Sequence, residues 1–384
     1  MTARLRVAHV ITDLDVGGAE LVLVRLLGEM DRQRFEQKVI SLTTMGQVAE
    51  QLIGLDIPVS ALGMSTGFPN PFNVLHLART ISSFRPDIVQ TWMYHADLVG
   101  SLATRLAGRA PVIWGLRNSV LIPGANKRRT ILVVRLLACL SKRLPVRIVS
   151  CSETARLIHI HLGYQPQKFV VIPNGFDVEK FRPDVSARAQ VRQELSLPEE
   201  TEVVGFFARF DPQKDHHNFV RAANLLLENR AGVHFLLCGE GITKENTSLM
   251  GWIAETDWQD RFHLLGRRSD MPRLTASLDL AINASFGEAF PNVIGEAMAC
   301  GVPCVATDVG DSAAIIAETG LIVPPHNSQA LADAMFKMLE LDPNERHSLA
   351  LAARQRVIEN YSLAAMASRY QALYFAAAGI SASG

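Results

Sequence analysis

Short apolar runs alternate along this chain with longer stretches in which apolar residues recur every three or four positions. The first pattern is that of buried strands and the second that of amphipathic helices. In the first half the strands are expected at Val7–Ile11, Gln37–Ser41, Ile88–Thr91, Val112–Trp114, Ile148–Cys151 and Phe169–Ile172, with helices at Ala19–Glu29 and Ala96–Ala107. In the second half they fall at Val203–Ala208, His234–Cys238, Phe262–Leu264, Leu278–Ile282, Val302–Thr307 and Gly320–Val323. Helices intervene there near His217–Glu228, Met271–Ala276 and Pro291–Cys300. Strand and helix taking turns in this way predict an α/β fold with doubly wound parallel sheets. The cluster Pro173-Asn174-Gly175-Phe176-Asp177 is turn-forming and precedes a polar connector, which places a boundary there. The expected domains are residues 1–175 and 176–360, with a last helical segment, 361–384, around Ala364–Ala377.

A chain of 384 residues, 48% hydrophobic, is long enough for two cores. Its formal charge is zero, but residues 1–180 hold 21 Lys+Arg against 13 Asp+Glu, and the remainder 17 against 25. The halves therefore face partners of different charge, or attract one another. Five cysteines without paired spacing argue against a disulfide framework and a zinc site; all five are expected to be buried in a reducing compartment. The N-terminus runs directly into a strand pattern, and no apolar run approaches the roughly 20 residues of a spanning helix. A cytoplasmic protein is expected. From Leu98 to Ser152 there are ten Lys or Arg and no acids. Residues 126–145 interleave these bases with large apolar side chains at helical spacing, which suits either an anionic membrane surface at the inner face or a packed helix with a solvated basic side. Nucleic acid is disfavoured, because aromatics for base stacking are scarce there.

The densest chemistry lies between Phe286 and Gly301. Pro291 suits a helix start, and Gly301 followed by Pro303 a helix stop. The first-turn amides of Asn292, Val293 and Ile294, with the positive end of the helix dipole, would make a phosphate seat. Glu288 precedes that seat, and Glu296 lies on the helix roughly 6 Å of rise beyond Asn292. Acids beside a phosphate more plausibly hold hydroxyl groups than charge. Arg209 directly follows one strand and Lys214 lies five residues on; one strand-to-helix loop thus offers two cations for a diphosphate. His95 stands at another strand end, and Gly17-Gly18 at a third. Gly239-Glu240-Gly241 also follows a strand, but Lys244 occupies the place of the third glycine, so no dinucleotide fingerprint is present, and neither half supplies the glycine motif with a ribose-binding acid that a Rossmann oxidoreductase would need.

The segment Phe-Gly-Glu-Ala-Phe-Pro-Asn-Val-Ile-Gly-Glu-Ala-Met-Ala-Cys-Gly resembles the E-x7-E signature of retaining nucleotide-sugar glycosyltransferases of the GT-B architecture. Arg209 and Lys214 match that family's cation pair in order and spacing, and Tyr94-His95-Ala96-Asp97-Leu98 is similar to its sugar-contacting histidine segment. The resemblance implies two Rossmann-like domains facing a cleft, acceptor-binding first and donor-binding second, with the final helix crossing back to the first. It implies a hexosyltransferase that moves sugar from a nucleoside diphosphate to a hydroxyl, with retention and without a metal. His95, Arg209, Lys214 and Glu288 would be catalytic. Gly17, Gly18, Arg267, Ala289, Phe290, Asn292, Val293 and Glu296 would bind donor, Glu296 at the ribose and the Gly266–Asp270 loop at the base. The acceptor expected is a saccharide or lipid-linked saccharide of bacterial cell-surface polysaccharide synthesis. A nucleotide-sugar epimerase and an inert partner subunit of the same fold are the alternatives.

Overall fold

The computed structural model describes residues 4–64, 70–108, 110–117 and 128–380. It divides into two compact units, Met1–Gly175 with Leu363–Gly384, and Phe176–Ser362. In the first, the strands are β1 (Leu5–Ile11), β2 (Phe35–Ser41), β3 (Val59–Ala61), β4 (Ile88–Trp92), β5 (Val112–Leu116), β6 (Arg147–Ser150) and β7 (Phe169–Val171). They form one parallel sheet in the order β3-β2-β1-β4-β5-β6-β7. In the second, β8 (Val203–Phe207), β9 (His234–Cys238), β10 (Phe262–Leu264), β11 (Leu280–Asn283), β12 (Cys304–Thr307) and β13 (Gly320–Val323) form a parallel sheet in the order β10-β9-β8-β11-β12-β13.

Every residue of β4, β5, β8 and β9 is buried, as strands covered by helices on both faces must be. Each sheet reverses direction once, between β1 and β4 in the first and between β8 and β11 in the second. At such a switch point the loops leaving the two central strands diverge and leave a crevice at their carboxyl ends, the usual ligand position in this class of sheet.

Helix Leu363–Ala377 belongs to the first unit. Its Met366, Tyr370, Leu373 and Tyr374 are buried in one core with Val22, Leu26, Phe35 and Trp92. Arg117 holds it from the sheet side. The guanidinium lies 5.0 Å from the Trp92 ring centroid, donates to Asn174 Oδ1 at 2.6 Å and donates to the Tyr370 hydroxyl.

The elements depart from expectation where polar groups or proline set the ends. The edge strand β3 has only three residues, none buried, and shows no apolar run. β11 starts at Leu280 because Asp279 is used as a clasp: its carboxylate takes the Val203 N–H at 2.8 Å and ion pairs with Arg188 and the buried Arg192. β12 starts at Cys304 because Pro303 has no N–H to give to the ladder. Cys139 corrects the expectation of five buried thiols, since it lies on the exposed face of helix Arg128–Leu140.

Gly295 lies in helix Asn292–Ala299 against the buried ring of Phe176; a Cβ there would stand 2.0 Å from that ring. Phe176 cannot yield easily, because it stacks on Phe290 at 5.9 Å. Alanine would gain about 1 kcal/mol of helix propensity, but overpacking costs about 1–3 kcal/mol. Gly295→Ala should therefore lower the urea midpoint of the second unit; an unchanged or raised midpoint would contradict this packing.

Candidate active site

In the second unit, the loop after β8 carries Arg209 and Lys214, and the loop after β11 carries Ser285 to Glu288. The two loops meet across the switch point. Lys214 Nζ ion pairs with Glu288 Oε1, and both side chains are largely withdrawn from solvent, 18% and 14% exposed. Ser285 Oγ donates to the same Glu288 oxygen at 3.1 Å, and the Phe286 N–H donates to the Gln213 carbonyl at 2.8 Å. Arg209 is more open, 62% exposed, and pairs at 2.9 Å with Asp211, whose other oxygen caps Gln213.

Helix Asn292–Ala299 follows, with Pro291 as its N-cap and not its first residue. The Ile294 N–H donates to the Pro291 carbonyl at 3.2 Å, which removes Ile294 from the amides expected at the phosphate seat. Asn292 and Glu296 are both half-buried and lie one helical turn apart on one face. Val293 packs at the edge of the core. The ring of Phe290 is buried between Phe176 and Tyr361, so any contact Phe290 makes with a ligand runs through its backbone. Arg267 is exposed, whereas its neighbour Arg268 is tied to Asp270 and Glu194.

In the first unit, Gly17-Gly18 after β1 and His95 after β4 flank the other switch point, because β1 and β4 are adjacent with Ile11 opposite Trp92. Gly17 caps helix Gly18–Glu29 in an extended conformation. The surroundings are acidic: burial raises the pKa of Glu20, and Asp13 and Asp15 raise it further. This is a poor place for a phosphate and a good one for hydroxyl groups. His95 lies in the first turn of helix Tyr94–Ala107, and burial lowers its pKa. The lowered pKa favours the neutral imidazole near pH 7.

Residues 16–180 match the profile of Glycosyltransferase Family 4, and residues 201–341 that of Glycosyl transferases group 1. The chain is 23% identical over 307 residues to an Escherichia coli UDP-Gal:alpha-D-GlcNAc-diphosphoundecaprenol alpha-1,3-galactosyltransferase, covering 79% of this chain and 78% of that one. Its structure superposes on that of HepE from Anabaena in complex with UDP with a TM-score of 0.84 at 25% identity, covering 97% of this chain and all of the other. Sucrose-phosphate synthase of Thermosynechococcus elongatus shares the fold, with a TM-score of 0.77 at 20% identity over 97% of this chain and 98% of that one. The chain belongs to the GT-B glycosyltransferases.

Several residues that support this glycosyltransferase's site carry no motif. Gly310 follows β12 with φ +57, and a Cβ on it would stand 2.7 Å from the Glu288 carbonyl oxygen and 2.8 Å from that of Ala289. A glycine is therefore required for that loop to back the Glu288–Ala289 backbone, and the Asp311 N–H donates to Ala289 at 3.2 Å. The Thr307 hydroxyl holds the Ser285 carbonyl at 2.5 Å. Position alone could have signalled them: Thr307 ends β12, next to β11, and Gly310 and Asp311 follow it.

His216 lies beneath the Arg209–Lys214 loop, its ring 4.8 Å from Phe206 and 5.2 Å from Phe210, and burial pushes its pKa down to about 4. In the unfolded chain it takes a proton as pH falls through 6.5, but the folded site resists until about pH 4. The stabilisation from the neutral ring is complete above pH 6.5 and is lost as pH falls between those two values. His216→Gln, which does not titrate, should show a smaller drop in urea midpoint than the wild type between about pH 7.5 and about pH 4.5; an equal drop would assign the acid sensitivity elsewhere.

Proposed function

We propose that this enzyme transfers a hexose from a UDP-sugar to a saccharide hydroxyl with retention of configuration, on a lipid-linked acceptor of cell-surface polysaccharide synthesis. The Lys214–Glu288 pair carries the reading, because it couples the cation needed at a leaving diphosphate to a carboxylate able to hold sugar hydroxyls. Without ligand each side chain neutralises the other. On donor binding Lys214 exchanges one anion for another at the diphosphate, and the Glu288 carboxylate accepts hydrogen bonds from the sugar hydroxyls, so neither is left without a polar partner. Arg209 leaves Asp211 to join the phosphates, and the first-turn amides at Asn292 and Val293 add the helix dipole. Glu296, one turn on, takes the ribose hydroxyls. The Gly266–Asp270 loop, with Arg267, and the Ala289–Phe290 backbone complete the donor site.

Negative charge grows on the departing diphosphate while the sugar becomes oxocarbenium-like, and preformed positive groups stabilise that change without reorganising. In this reading Lys214 and Arg209 supply the positive charge at the leaving diphosphate, and the reaction needs no metal. The neutral His95 imidazole contacts a sugar hydroxyl. Gly17 and Gly18, expected above among the donor-binding residues, lie near Asp13, Asp15 and Glu20, and in this reading they take the acceptor's hydroxyl groups instead. The UDP donor is supported by HepE, solved with UDP and with UDP-glucose, and the lipid-linked acceptor by the Escherichia coli relative's diphosphoundecaprenol substrate.

Lys214→Ala and Glu288→Ala should each lower turnover of the preferred UDP-sugar at least about a hundredfold, the usual effect of deleting one positioned electrostatic group, with the fold retained at a lowered unfolding midpoint, because each change leaves the partner's charge unpaired in a largely buried site. The same assay in EDTA should run at full rate. Wild-type turnover in either folded variant, or a requirement for added Mg²⁺, would overturn the site; sugar interconversion without acceptor would indicate an epimerase.

The acceptor's membrane location is supported by the outer face of the first unit. Leu102 and Leu106 on one helix and Leu132 and Leu136 on its neighbour are exposed, among exposed Arg105, Arg129, Arg135, Lys142 and Arg143. Asn126, Lys127 and the side chain of Arg128, also part of the expected basic segment, lie outside the described residues. Leucines surrounded by bases suit insertion at an anionic interface on the cytoplasmic side, each base contributing about 1 kcal/mol. No described helix is long and apolar enough to span a membrane. Co-sedimentation with phosphatidylglycerol vesicles should weaken with salt and be lost in Arg129→Glu/Arg135→Glu/Arg143→Glu, with the fold retained. Equal sedimentation with neutral vesicles would leave a merely solvated helix face.

A further inference from the structure

His95 is mounted on a strained turn. Met93, between β4 and helix Tyr94–Ala107, has φ +71 and ψ 160, a conformation that a residue with a Cβ adopts only when its surroundings impose it. The surroundings here are specific. The Met93 N–H donates to the Gly115 carbonyl on β5 at 2.9 Å. The Tyr94 ring is buried, and its hydroxyl lies 2.9 Å from His159 Nε2 on helix Glu153–His161. His159 Nδ1 lies 2.7 Å from the Ala155 carbonyl oxygen. A carbonyl only accepts, so Nδ1 carries the proton, Nε2 keeps its lone pair, and the Tyr94 hydroxyl must be the donor.

The far side of His95 is fixed as firmly. Asp97 is fully buried, with a carboxyl oxygen 2.5 Å from Thr91 Oγ1 at the end of β4. Gly100, one turn on, lies so close to that threonine that a Cβ would stand 2.7 Å from its methyl group. Trp114 Nε1 on β5 donates to Ser101 Oγ at 2.8 Å. Of the four residues Tyr94 to Asp97, His95 alone is not buried.

We infer that the buried Tyr94–His159 hydrogen bond is a positioning device for His95: it holds the strained Met93 turn so that the imidazole is already aimed when substrate arrives. The inference rests on the reading that His95 touches a substrate sugar hydroxyl. Tyr94 and His159 touch no substrate. Releasing the phenol lets Met93 relax, and the start of the helix turns with it, carrying His95 away from its productive direction. A fixed imidazole matters because a reacting group misplaced by about 1 Å can lose on the order of a hundredfold in rate.

The test is a mutant cycle read by UDP release from whichever of UDP-glucose, UDP-galactose and UDP-N-acetylglucosamine the wild type turns over fastest. Tyr94→Phe should lower kcat at least about tenfold while KM for the donor changes less than about twofold. His95→Ala should lower kcat at least as much, and the double variant should equal His95→Ala alone, because Tyr94 acts only through His95. Should Tyr94→Phe unfold from the unpaired His159 nitrogen, Tyr94→Phe/His159→Leu removes both partners and leaves no buried acceptor unmet. Full activity in His95→Ala would defeat the reading of His95 itself. An impaired His95→Ala together with a fully active Tyr94→Phe, or with multiplying effects in the double variant, would defeat the positioning role alone.

Discussion

Parallel strands cannot be joined by tight turns, so each connection in this protein crosses back over the sheet, and every strand-to-helix loop leaves from the same edge. That constraint gathers the site. In the second unit it lets loops from β8 and β11, neighbours in the sheet but more than 70 residues apart in the chain, bring Lys214 against Glu288. In the first it sets Gly17-Gly18 beside His95. Residues carried at the opposite edge, such as the Asp279 clasp with Arg188 and Arg192, fasten helices to the sheet and take no part in chemistry.

Charge is distributed between the two switch points according to what each must hold. The second unit's point has cations, amides and a helix N-terminus, with Glu288 kept in check by Lys214. The first unit's point has Asp13, Asp15 and Glu20 about the glycines and an uncharged histidine. Under the proposed function, a diphosphate would be attracted to the second unit's point and repelled by the first unit's, which would sort donor from acceptor by electrostatics. The Lys214–Glu288 pair keeps the cost of burying two charges low, since neither is left alone in a site of reduced polarity.

Rigidity is likewise uneven. Phe176 against Gly295, Gly310 against the Glu288–Ala289 carbonyls, and Thr91 with Asp97 beneath His95 are close contacts with no slack. They lie under the functional groups, whereas Arg209, Arg267 and His95 keep exposed or half-exposed side chains above them. A firm floor with adjustable tips suits a site that must recognise a flexible sugar nucleotide and then hold it still.

Periodicity and punctuation in the sequence determined most strands, the α/β class and the helix that stops before Gly301, because these depend on neighbours a few residues away. The spacing of Glu288 and Glu296, and of Arg209 and Lys214, was equally legible, since each pair lies on one loop or one loop and its helix. Tertiary structure alone decided the rest. Strand order brought Lys214 to Glu288, packing turned the Phe290 ring into the core, and the fold set Gly310 behind Glu288 and left Cys139 on the surface. Helix Leu363–Ala377 packs in the first unit, a placement that the family resemblance implied but the helix's own periodicity does not mark. The reason is physical: a residue's alternation or helical phase says which face it takes, but which residue comes to meet that face depends on crossovers whose sequence does not record their destination.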